Sequence, residues 1–330
     1  MKKTLLTLAF FVGAAALVAF SSPAFAAVSG QCSGCHTMHN SQGGTAMATG
    51  GPHSTLLLNN CLGCHTTTGT DPYVGVYPYV AGSSFSDDNC LAGGLFPASM
   101  GSGDNDDNHH GIGNTNAPAG YAGTFYTGGT NGLACAGSNG CHGNESDVDD
   151  MTAISGGHHS GTGAYRMLFV GGTASTNAVG GDPADDYEEL IIKTPSTSPT
   201  YGTNANLYSG GSMSGGKTIN DLCAKCHGDF HGTANTQSGG AWIRHPTDNS
   251  ISTDWTLGAG GYSLDGDDIK NNPVGFVDAS VDNAAKKVLC LSCHRAHGTE
   301  NDDLLRWAYS TQDAGSGITY GCLGCHNAQR

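Results

Sequence analysis

Apolar residues gather into a single long run, Leu5 to Phe20, which follows Lys2 and Lys3 and gives way to Ala24-Phe25-Ala26. A basic start, an apolar stretch too short for a stable span and a small-residue cleavage pattern predict a secretory leader over residues 1–26. No later stretch approaches the roughly 20 apolar residues that a membrane span requires. From residue 27 onward, apolar positions come in short groups between Gly, Ser, Thr and Asn tracts such as Thr127 to Gly132 and Thr203 to Gly216. Helix signals are few and local. Thr218 with Asp221 before Leu222, and Thr299 with Asp302 before Leu304 to Tyr309, each resemble an N-cap followed by an acid at the third helical position. The first would start a helix carrying Cys223 and Cys226. Tyr187 to Lys193 reads as a strand or, equally by periodicity, as a short helix. The pattern predicts a mostly irregular, coil-dominated fold with a few short helices, arranged as one elongated body over residues 27–330.

Composition sharpens this reading. The 330 residues include 52 glycines, about twice the usual share, without a G-X-Y period. A chain so rich in glycine cannot close an ordinary apolar core, so something other than side chains must fill its interior. Only 13 Lys and Arg stand against 28 Asp and Glu, for a formal charge of −15. That balance excludes nucleic-acid binding and attraction to an anionic membrane surface.

The candidate chemistry lies in 13 Cys and 15 His. Cys-x-x-Cys-His occurs at Cys32, Cys35, His36; Cys61, Cys64, His65; Cys223, Cys226, His227; Cys290, Cys293, His294; and Cys322, Cys325, His326. This is the attachment signature of c-type haem. Two thiols three positions apart lie on one side of a helical turn and can both add to the haem vinyl groups, while the next His faces the iron. Cys135, Cys141 and His142 imply a sixth site, with five residues between the thiols instead of two. The alternative there is a disulfide from Cys135 to Cys90, leaving haem on Cys141 alone. A free Cys90 is equally compatible. Zinc also uses paired cysteines, but it does not need a His directly after the second Cys each time.

Second axial ligands must come from the other histidines, with candidates at His39, His53, His110, His159, His231, His245 and His297. His109/His110 and His158/His159 are doublets from which one member each is expected to ligate. A His three or four positions after a proximal one lies on the same side of the ring, so His39, His231 and His297 are expected to serve neighbouring haems. Arg166, Arg244 and Arg295 read as propionate partners or solvated charges. Motif starts at residues 32, 61, 135, 223, 290 and 322 show no fixed period, and the closer pairs lie at the two ends. Six flat apolar macrocycles would supply the missing core. The acidic runs at Asp104 to Asp107 and Asp265 to Asp268 lack the spacing of a calcium loop and read as solvated.

Several stretches resemble a known family: Cys32-Ser-Gly-Cys-His-Thr-Met-His-Asn-Ser-Gln-Gly-Gly44, Gly163-Ala-Tyr-Arg-Met-Leu168, Cys223 to His227 with His231, Ile243-Arg-His-Pro246, Cys290 to His297, and Cys322 to His326. In order, they resemble the filament-forming hexahaem c-type cytochromes found on the outer surface of metal-reducing bacteria. The resemblance implies a stacked haem chain, bis-His ligation and electron export to minerals, other cytochromes or partner cells. It further implies that His39 is donated to a haem of the adjacent subunit of a homopolymer. The Cys135 to Cys141 spacing departs from the family pattern. The expected place is extracellular, at the outer cell surface, with the periplasm as the alternative. A conduit needs every iron saturated, whereas a multihaem reductase of a small oxyanion needs an open axial position. A monomeric electron shuttle is the third reading.

Overall fold

A computed structural model of the chain describes residues 30–66, 73–74, 77–82, 93–94, 96–97, 109–113, 132–160, 165–173, 175–179, 217–231, 247, 274–276, 286–313 and 321–322. The leader, Cys90, Cys325, His326, His245, Arg244, the acidic runs and Tyr187 to Lys193 lie outside these residues. The described chain is mostly coil, interrupted by short elements. Its α-helices are α1 (Cys61–Cys64), α2 (Asp150–Ala153), α3 (Gly157–Ser160) and α4 (Ile219–Ala224). Further single turns are 3-10. None of the described helices is long and apolar enough to cross a membrane.

The strands form two-stranded ladders. β1 (Ser41–Gln42) and β2 (Thr45–Ala46) pair antiparallel, Ser41 opposite Ala46, across Gly43 and Gly44 at φ 58° and 84°. Both turn residues are left-handed, which is what a two-residue hairpin turn of this hand demands and what glycine permits. β3 (Tyr73–Val74) and β4 (Tyr77–Pro78) pair antiparallel, as do β7 (Val274–Phe276) and β8 (Lys286–Val288). β5 (Ala81–Gly82) and β6 (Phe96–Pro97) pair in parallel. Just ahead of β6, Gly94 lies so close to the Gly298 backbone that a Cβ there would collide with the Gly298 carbonyl. That approach brings the 93–97 segment against the histidine-bearing loop of the fifth motif.

Apolar burial is divided. Leu168, Val179, Ile219, Leu222, Leu289 and Leu291 form one cluster, with Val170 packed against it. Ala136, Met151, Ala153 and Ile154 form another, flanked by Leu57 and Cys61. Both clusters sit directly behind cysteine motifs.

The two expected helix starts have different outcomes. Thr218 and Asp221 make a complete capping box: the Asp221 amide donates to Thr218 Oγ1 at 3.1 Å, and the Thr218 amide donates to Asp221 Oδ2 at 2.8 Å. The helix that follows carries Cys223 and ends at Ala224, so Cys226 lies in the turn beyond it. After Thr299 no helix develops over Leu304 to Tyr309. Thr299 Oγ1 accepts from the Asn301 amide at 2.9 Å, and only separate 3-10 turns form, at Asp302–Leu304 and Tyr309–Thr311. Asp303 and Leu304 are left-handed, at φ 58° and 56°, so their carbonyls point away from any following helical turn. The same paired conformation recurs at Thr55 and Leu56 and at Arg166 and Met167. Each such non-glycine residue costs of order 1 kcal/mol of backbone strain.

Candidate haem centres

In the regular motifs one hydrogen bond closes the loop. The amide of the His donates to the carbonyl of the first Cys: His36 to Cys32 at 2.8 Å, His65 to Cys61 at 2.8 Å, His227 to Cys223 at 2.9 Å and His294 to Cys290 at 3.0 Å. In α1 the Asn60 side chain caps this turn by accepting from the Gly63 amide at 2.9 Å. The irregular motif keeps the closing bond. His142 donates to the Cys135 carbonyl at 3.1 Å, and the Cys141 amide donates to the same carbonyl at 3.2 Å. The inserted residues form a 3-10 turn, Gly137–Asn139, looped out between the two cysteines.

Histidines meet in facing pairs. Ring centres of His36 and His159 are 5.9 Å apart, those of His65 and His158 are 6.3 Å apart, and those of His110 and His227 are 6.2 Å apart. A metal held at about 2.0 Å by one nitrogen from each of two opposed imidazoles sets their ring centres roughly 6 Å apart. The residues present therefore fit an iron between two histidines at three places. Both members of the 158/159 doublet face a motif histidine, not one. Successive residues on a helix point about 100° apart, so α3 can present its two rings to two different sites. Sequence spacing alone had no signal for the second of them, His158.

Four ring nitrogens are committed to backbone carbonyls. His36 Nδ1 donates to the Thr55 carbonyl at 2.9 Å, His142 Nδ1 to Arg166 at 2.9 Å, His294 Nδ1 to Asp303 at 2.7 Å and His110 Nδ1 to Ala296 at 2.7 Å. This fixes one tautomer and leaves Nε2 as the electron-pair donor, as metal-binding histidines require. His297 Nδ1 lies 3.4 Å from the Gly94 carbonyl, and its ring tilts against Phe96 with centres 5.0 Å apart. Burial, above all, holds His110 and His297 down to about 4, so both rings are neutral near pH 7. His53 uses Nε2 instead, donating to the Thr49 carbonyl at 2.8 Å. His231 is half-buried at the end of the turn after the fourth motif, and His39 is exposed. His109 is buried and bridges to Gly298.

Cysteines of successive motifs adjoin one another. Burial and then the neighbouring Cys35 push the Cys64 thiol up. A hydrogen bond with Cys135 pushes Cys61 up and holds Cys135 down. Burial pushes Cys141 up to about 12, with Lys225, Cys223 and Cys226 close by. A hydrogen bond with Cys290 pushes Cys223 up. Polar ties without any local sequence signal hold these motifs in place. Asn220, fully buried, donates to the Val288 carbonyl at 3.1 Å and accepts from the Cys290 amide at 2.7 Å, joining the fourth motif to the fifth. Lys225, inside the fourth motif, pairs with buried Glu145 just past the third. Arg295 is 3% exposed, and Arg166 is half-buried. Among the described residues, no group of three or more His, Cys, Asp or Glu converges as a zinc site would require.

The chain matches the family model described as a doubled CXXCH motif over residues 282–330. It is similar to the C-type cytochrome OmcS of Geobacter sulfurreducens, 27% identical, over 94% of this chain and 88% of that protein. Among solved structures it is similar to the OmcS nanowires from Geobacter sulfurreducens determined by cryo-EM, 19% identical, with a TM-score of 0.40 over 85% of this chain and 84% of that one.

Proposed function

We propose that the chain is an exported multihaem c-type cytochrome that carries electrons at the outer cell surface through six bis-histidine haem c groups. The observation that carries this reading is the set of three facing histidine pairs, each containing one motif histidine and spaced for a single iron. Cys32 and Cys35, Cys61 and Cys64, Cys135 and Cys141, Cys223 and Cys226, Cys290 and Cys293, and Cys322 and Cys325 would hold the six groups. His36, His65, His142, His227, His294 and His326 would be the proximal ligands. When bound, haem c supplies a one-electron couple at each site.

The chain's own residues then do two things. A histidine from each side would saturate a bound iron and favour electron transfer over substrate binding. Cysteines of successive motifs lie near one another from the first motif to the fifth, which supports a chain of sites taken in sequence order. Similarity to a curated C-type cytochrome over most of both chains supports the same reading.

We extend it to assembly. His39 stands exposed beside Met38, which is 81% exposed, next to the β1–β2 hairpin. It is the residue that the family resemblance assigns to a neighbouring subunit, and its exposure suits donation to a second copy of the chain.

Two measurements test the proposal. Carbon monoxide added to the fully reduced protein should leave the haem spectrum unchanged, whereas binding at any haem would turn the reading towards a reductase. His39→Ala should give monomers in which one haem is high-spin, and unchanged filaments would refute the inter-subunit ligand.

A further inference from the structure

Three of the motif histidines are gripped by the same backbone device. Beside His36, the left-handed pair Thr55 and Leu56 turns two successive carbonyls towards the motif. The Thr55 carbonyl accepts from His36 Nδ1 at 2.9 Å, and the Leu56 carbonyl accepts from the Thr37 amide at 2.8 Å. Beside His142, Arg166 takes the ring Nδ1–H at 2.9 Å and Met167 takes the Gly143 amide at 2.8 Å. Beside His294, Asp303 takes the ring at 2.7 Å and Leu304 takes the Arg295 amide at 2.9 Å. In all three, the next residue forms a bridge back to the histidine: Leu57 with His36, Leu168 with His142 and Leu305 with His294.

The repetition is not a by-product of loop length. The separation from histidine to acceptor is 19, 24 and 9 residues in the three cases, yet φ of the acceptor residue is 58°, 53° and 58°. A non-glycine pair in the left-handed region is disfavoured by its own sterics. Its appearance three times, each time aimed at a proximal histidine, gives it a purpose beyond connecting segments. Among the described residues no such pair stands beside the second or fourth motif. The straps serve the first, third and fifth sites.

We propose that each strap is a positioning device that tunes its histidine as a ligand, giving the irons at His36, His142 and His294 a shared, lowered midpoint potential. The inference rests on the haem reading above. A carbonyl held rigidly on Nδ1–H fixes the ring plane and makes Nε2 a stronger donor. A stronger axial donor stabilises the oxidised metal over the reduced one. Because the acceptor is backbone, its orientation depends on the left-handed pair and not on the strap side chains. Thr55, Leu56 and Asp303 are exposed, so substitution there leaves the apolar clusters intact.

The test uses the full haem-loaded protein. Leu56→Val places a β-branched residue where φ is 57°, which it resists, whereas Leu56→Gly accepts that conformation freely. In a spectroelectrochemical titration, Leu56→Val should raise the midpoint of one haem and shift one low-spin electron paramagnetic resonance signal, while Leu56→Gly should overlay the unmodified protein. Leu304→Val and Leu304→Gly, at the uncharged member of the fifth-site pair with φ 56°, repeat the comparison in case the first Val variant fails to fold. If the Val and Gly variants behave alike, or all midpoints stay fixed with the haem count intact, the strap has no tuning role. A haem count below six in the unmodified protein would instead strike at the underlying reading, and intact mass separates that outcome from failure of the strap.

Discussion

The amide of His142 donates to the carbonyl of Cys135 at 3.1 Å, reproducing across a seven-residue step the bond that spans four residues in the regular motifs. The loop thus returns to common geometry at its two chemically important ends, and the extra residues are displaced into a 3-10 turn. The Cys135 carbonyl accepts from the same two amides as the first cysteine does in the first, fourth and fifth motifs.

From that placement, Cys135→Ala is expected to leave the third haem held by Cys141 alone. One vinyl group then stays unsaturated, and the pyridine haemochrome band of the preparation gains a red-shifted component amounting to one haem in six. An unshifted band would mean that Cys135 carries no haem bond.

The α3 doublet yields a second expectation. Since His159 faces His36 and His158 faces His65, His158→Ala and His159→Ala should each produce one high-spin haem, and the double variant two. The ring planes of these two pairs are inclined by only 20° and 21°, against 61° for His110 and His227. Near-parallel axial rings give rhombic low-spin signals in electron paramagnetic resonance, so both variants should remove rhombic intensity. Loss in one variant alone would show that the doublet serves a single site.

Asn220 supplies a stability prediction. Its buried amide satisfies the Val288 carbonyl and the Cys290 amide together. Asn220→Ala leaves both groups without this partner and opens space behind the Leu222 and Leu289 cluster, so it should cost about 2–3 kcal/mol. Thermal unfolding monitored at the haem band checks this, and a loss under about 0.5 kcal/mol would contradict it.

Asp149 links stability to acid. It caps α2 by accepting from the Thr152 amide at 2.8 Å. A hydrogen bond from Ser54 and then the Thr152 contacts hold its carboxyl below the ordinary value of 3.8, and His53 adds to the effect. The pKa is depressed on folding, so the stabilisation is present above the unfolded value and fades as pH falls through the folded one. Asp149→Ala should cost about 1 kcal/mol near pH 7, with the difference closing as pH falls through the depressed carboxyl value. A difference independent of pH would assign the effect to packing.

How much of this was legible in the sequence follows the range of the interactions. The coil-dominated fold could be read from glycine abundance, and the capping box of α4 from Thr218 and Asp221, because both depend on neighbouring residues. The helix expected after Thr299 failed for a long-range reason. The carbonyls of Asp303 and Leu304 are taken by His294 and Arg295, and that demand overrides a local N-cap signal. His158 opposite His65 and Asn220 against Cys290 join segments far apart in the chain, and the three straps join residues 9 to 24 positions apart. No short-range pattern encodes them, although Thr55-Leu56-Leu57, Arg166-Met167-Leu168 and Asp303-Leu304-Leu305 share a faint likeness in hindsight.

The most direct test of the central claim is the intact mass of the protein exported by a host with a working c-type cytochrome maturation pathway. The account predicts the chain from residue 27 to 330 plus six covalent haems. Five haems would remove Cys135 and Cys141 from the set of attachment sites, and none would contradict the account altogether.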